Sequence, residues 1–87
     1  MAADIDAISE EIRRRFPLVE IKQLRPSHPA DDDGIWFFRL SSGLEVQLES
    51  STGSCPFLIE SDQHPRCMSA ETVRSAVQII VQELGLD

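Results

Sequence analysis

Cys55, His64 and Cys67 are the side chains here that could hold a metal or attack an electrophile, with His28 as a further nitrogen donor. Zinc takes a tetrahedral set of sulfur and nitrogen ligands, usually from ligand pairs at short spacing. This chain has no Cys-x-x-Cys pair. His64-Pro65-Arg66-Cys67 supplies half a site, and His28 comes from a distant loop. The spacing argues against a metal and implies no other cofactor. A thiol nucleophile needs a base or a cation within reach. Cys67 follows Arg66 and precedes the second helix expected from the sequence, where a helix dipole would lower its pKa. No oxyanion hole or orienting acid accompanies it, so an enzyme is the less favoured reading. A small-ligand or thiol site formed by Cys67 and the 50–55 loop is the alternative to the reading adopted below. In an oxidising compartment, Cys55 and Cys67 could pair instead.

Three other stretches resemble chemistry but lack a necessary part. Asp31-Asp32-Asp33-Gly34 has the carboxylates of a calcium loop without the 12-residue spacing to a terminal glutamate, and reads as a solvated turn. Ser50-Ser51-Thr52-Gly53-Ser54 is rich in hydroxyls, yet it holds one glycine and its nearest lysine is Lys22, which is too little for a phosphate cradle. Arg13-Arg14-Arg15 invites a nucleic-acid reading, but cations are also favoured at a helix C-terminus, where the pattern puts them.

Bulk properties narrow the field further. The chain has 87 residues, enough for one domain (1–87) and too few for two. Hydrophobic residues make up 41% and charged residues 26%, the balance of a folded chain. The net charge of −7 opposes bulk attraction to nucleic acid or to an anionic membrane. No apolar run approaches the length of a membrane span, and the start Met1-Ala2-Ala3-Asp4 lacks the pattern of a secretory signal. A cytoplasmic protein is the expectation.

The elements follow from periodicity. Asp4 as cap, then Ile5, Ile8, Ile12 and Phe16 at helical spacing, predict a first helix that Pro17 ends. Strands are expected over 18–24, 34–40, 44–49 and 57–60. If Ser41-Ser42-Gly43 is a hairpin loop closed by a positive-φ glycine, Leu40 faces Leu44, Phe38 faces Val46 and Trp36 faces Leu48. A slip of one residue would bury Glu45 and Glu49 beside aromatic rings, so burial selects this register. Ser69 as N-cap, then Val73, Ala76, Val77, Ile80, Val81 and Leu84, predict a second helix capped by Gly85. Ile79 falls off that stripe and either widens the buried face or meets another chain. Segments 26–34 and 50–56 have loop chemistry.

These elements imply an α+β two-layer sandwich: a four-stranded antiparallel meander with an N-terminal and a C-terminal helix on one face, in the order α-β-β-β-β-α. The other sheet face is left open. Strand alternation assigns Glu20, Lys22, Ile35, Phe37, Arg39, Glu45, Gln47, Glu49, Leu58 and Glu60 to it. An apolar centre ringed by charge resembles a docking patch. The function expected is therefore a protein-protein interaction module. Phe37 and Leu58 would be its anchors, Arg39, Glu45, Gln47 and Glu49 would set specificity, and its partner would be a basic protein. An immunity-like or antitoxin-like role fits the size and charge. A homodimer through the same face or through an edge strand is the close competitor.

Overall fold

The computed structural model describes residues 4–24, 34–50, 53–62 and 64–86, with the side chains of 24 and 64–66 left aside. The elements run α1 (Asp4–Arg15), β1 (Glu20–Leu24), β2 (Ile35–Arg39), β3 (Glu45–Glu49), β4 (Phe57–Ser61), β5 (His64–Ala70) and α2 (Val73–Glu83). The five strands form one antiparallel sheet in sequence order. The expected α+β sandwich is present, with five strands where the sequence predicted four. The extra strand is β5, in a stretch where the sequence predicts none. Among the described side chains of β5, Met68 and Ala70 face the core, and Pro65 cannot donate to a ladder, so the segment carries little strand signal. Proline is tolerated there because β5 is an edge strand.

The β2–β3 hairpin has the register that burial demanded. Trp36 lies opposite Leu48, Phe38 opposite Val46, Phe37 opposite Gln47 and Arg39 opposite Glu45. Gly43 closes the turn at φ 101°. Phe38, Val46, Leu48, Phe57 and Ile59 are buried on one face of the sheet. They form a single core with Ile5, Ile8 and Ile12 of α1 and Ala76, Val77, Ile80 and Val81 of α2. Trp36 meets Phe57 edge-on at the border of this core, with ring centroids 6.4 Å apart. Ile79 is partly buried against the same core, so it widens the helix's inner face.

The helix ends differ from expectation in two places. Asp4 lies within α1, and its Oδ2 accepts the N–H of Cys55 at 2.8 Å. The N–H of Ile5, a first-turn donor with no partner inside the helix, reaches the carbonyl of Gly53 at 2.9 Å. The start of α1 is thus held by the chain before β4. In α2 the N-cap is Thr72. Ser69, the expected cap, sits in β5. Thr72 Oγ1 accepts from Ser75 N and Ser75 Oγ accepts from Thr72 N, a reciprocal capping box. The C-terminus follows the sequence reading. Gly85 takes φ 65°, its N–H bonds the carbonyl of Gln82, and the N–H of Leu86 bonds that of Val81.

Both helices begin at the same end of the sheet. α1 starts beside Cys55, just before Phe57, and α2 leaves β5 at Ala70, which pairs with Phe57. Towards the other end, the buried carboxylate of Glu83 accepts the hydroxyl of Ser61 from β4.

Candidate docking surface

Alternation along each strand turns one set of side chains away from the helices. Across the sheet these align in rows. One row holds Glu20, Arg39 and Glu45. The next holds Lys22, Phe37, Gln47 and Glu60, and a third holds Ile35, Glu49, Leu58 and Ser69. All six residues singled out as partner contacts, Phe37, Arg39, Glu45, Gln47, Glu49 and Leu58, lie on this face. Leu58 keeps 48% of its surface exposed, while Phe37 and Ile35 are half-buried. Arg39, Glu49 and Glu60 are exposed, and Glu45 and Gln47 are half-buried. The register brings Phe37 and Ile35 together along β2. Leu58 lies two strands away, with Glu49 between it and Ile35, so the apolar part is a broken patch and not a continuous stripe.

The charges on this face are partly self-compensating. Lys22 Nζ lies 3.2 Å from Glu20 Oε1, both exposed. Arg39 stands between Glu20 and Glu45 in the register. Glu49 and Glu60 have no basic residue opposite them across the described ladders. Glu45, Gln47, Glu60, Ser61 and Asp62 line a shallow hollow of about 150 Å³ where β3 meets β4. The surplus on this side of the molecule is negative.

Three residues of this surface escaped the sequence reading. Ser69 and Cys67 join the face through β5, Ser69 by pairing with Leu58 and exposed Cys67 by alternation with Met68. Leu18, at the lower edge, is 89% exposed and borders a hollow of about 250 Å³ with Glu20, Arg39 and Leu40. Its position was available from the sequence as an apolar residue between Pro17 and the first inward residue, Val19. Alternation with Val19 puts it on the outward face, beside Glu20.

The placement of Cys67 removes one premise of the alternative site, the helix dipole beside the thiol. Cys67 lies in β5, and α2 starts only at Val73, so no helix N-terminus faces the thiol. Cys55 is no better as a nucleophile. Burial pushes its thiol above the ordinary value of 9.0, and a hydrogen bond to the Asp4 carboxylate and its negative charge push in the same direction. Both thiols are free. Among the described residues, no group of three or more His, Cys, Asp and Glu side chains is placed to hold a metal ion. His28 and the run Asp31-Asp32-Asp33 lie outside the described residues, as do residues 51–52 of the hydroxyl-rich loop and the side chain of His64. Within the arginine run, Arg14 and Arg15 both pair with Glu11, and Arg15 also stacks over Phe16 at 5.1 Å from the ring centre. These contacts give two of the three arginines a place in the helix itself.

No described helix is long and apolar enough to cross a membrane. Comparison of the chain with models of known families, with curated proteins and with solved structures gives no match.

Proposed function

We propose that this protein is a cytosolic interaction module that binds a basic partner protein through the open face of its sheet. The observation that carries this reading is the one-sided packing of the sheet. Both helices cover one face, and the other presents half-exposed Leu58 and half-buried Phe37 and Ile35 among glutamates. Apolar side chains in such a setting anchor a partner, and the surrounding charges select it. Lysine or arginine side chains suit Glu49, Glu60 and the hollow beside Asp62.

Charge also separates this occupant from a second copy. A two-fold axis over this face would bring two surfaces with the same surplus of glutamates together. In a chain of net charge −7 this opposes face-to-face pairing.

The test compares proteins retained from the source cell by wild type, Phe37→Glu and Leu58→Glu. Basic proteins should be held by wild type at low salt, released by high salt and lost from both variants. Equal retention by all three, or a sedimentation profile showing a dimer that Phe37→Glu dissolves, overturns the reading.

A further inference from the structure

On the opposite side of the molecule, an open trough of about 780 Å³ runs between the outer sides of α1 and α2. Two spacings create it. Val73, Val77 and Val81 recur at i, i+4 and i+8 along α2, and Ala7, Glu11 and Arg15 do so along α1, so each set follows one side of its helix. The valines and Ala7 are short. The helices meet beneath them, where Val77 and Val81 are almost buried, and leave space above. Ala7 is exposed and Val73 half-buried, so the apolar floor opens to solvent at the end where the helices start, and Gln78 and Gln82 border the rest.

The charged groups of the trough are unevenly placed. The helices start at the same end, so Arg74, in the first turn of α2, stands near that end and Arg15, in the last turn of α1, near the other. Glu11 lies between them and is held by Arg14 and Arg15. Among the described residues, no carboxylate lies within ion-pair distance of Arg74. The side opposite the acidic sheet face therefore carries a partly apolar floor with Arg74 at one end and, at the other, Arg15, which already pairs with Glu11 at 3.8 Å and keeps 41% of its side chain exposed.

The geometry points to a second docking site, independent of the sheet face, for an amphipathic helix of a partner protein that carries carboxylates at both ends of its apolar stripe. A helix fits because the trough is open and walled by two helices, so a third can lay its side chains into the groove between them. Carboxylates fit Arg74 and Arg15. Glu11 disfavours a third acid in the middle of the partner's stripe. One partner on each side would make the domain a bridge between a basic and an acidic protein.

The test uses the full chain and a fluorescent amphipathic peptide of roughly 16 residues, long enough to form a helix, with a leucine stripe flanked by glutamates. The same peptide with lysines in place of the glutamates is the control. The acidic peptide should bind and the basic one should not. Arg74→Glu should weaken the acidic peptide by about three- to tenfold, the scale of exposed charge pairs when attraction is turned to repulsion. Ala7→Gln should weaken it without any change of charge, by filling the floor. Phe37→Glu should leave it unaffected, which separates this site from the sheet face. The proposal fails if the acidic peptide does not bind, if both peptides bind equally, or if neither Arg74→Glu nor Ala7→Gln alters binding. It also fails if sedimentation shows a dimer that Arg74→Glu dissolves, because the occupant is then a second copy.

Discussion

The carboxylate of Asp4 accepts the backbone N–H of Cys55 at 2.8 Å, across 51 positions of sequence. With the bond from Ile5 N to Gly53 O, it fastens the first turn of α1 to the chain entering β4. A charged acceptor for a partly buried amide is worth more than a neutral one. Asp4→Ala should cost about 1–2 kcal/mol in urea unfolding, and Asp4→Asn, which keeps an acceptor oxygen, should cost less. Equal stability of Asp4→Ala and wild type would mean that the bond holds nothing in place.

The same carboxylate governs a thiol. Burial first, then the hydrogen bond and charge of Asp4, hold Cys55 protonated past the ordinary value of 9.0. In the unfolded chain the thiol ionises near that ordinary value. Between the unfolded and the folded pKa the folded state binds more protons, so stability falls as pH rises above about 9. Below that window the thiol is protonated in both states and contributes no slope. Alkylation at neutral pH should therefore modify exposed Cys67 well before Cys55. Asp4→Asn should speed the labelling of Cys55, and peptide mapping after timed quenching reads both rates.

Two glycines should respond to alanine for different reasons. A Cβ on Gly34 would come within 2.0 Å of the Ser50 carbonyl oxygen and 2.3 Å of the Trp36 ring. The ring packs on the core edge beside Phe57, so it has little room to yield. Gly34→Ala should cost about 3 kcal/mol through overpacking. Gly85 has open space around its Cβ position but sits at φ 65°. Gly85→Ala should cost about 1 kcal/mol, from the left-handed backbone alone. Thermal melts of the two variants check the order, and a reversal would contradict the packing described at Trp36.

The β2–β3 hairpin was legible because one face is apolar at every second residue and a glycine sits where the turn needs positive φ. The helices were legible from isoleucine and valine spacing. What escaped was set by distant contacts. Among its described side chains, β5 shows Met68 and Ala70 to the core, and its edge position excuses Pro65. Thr72 displaced Ser69 as cap because β5 continues through residue 70. Asp4 found its partner in Cys55, beyond the reach of local pattern. The open face was legible residue by residue through alternation. Its extension through Cys67 and Ser69 depended on the fifth strand, and the trough between the helices depended on how two amphipathic stripes meet.

Phe37→Glu and Leu58→Glu should leave the fold intact. Leu58 is 48% exposed and Phe37 half-buried on the side away from the core, so each change should cost under about 1 kcal/mol. Circular dichroism and melting temperature close to wild type check this. A collapse of either variant would show that the face contributes to stability more than its exposure implies.

The central claim is met most directly by mapping amide shifts of the isotope-labelled protein as the retained basic partner is added. Residues 35–39, 45–49 and 58–60 should move together and saturate at one stoichiometry, while 73–82 stay in place. Shifts confined to 73–82, or to the tips of the sheet, would contradict it.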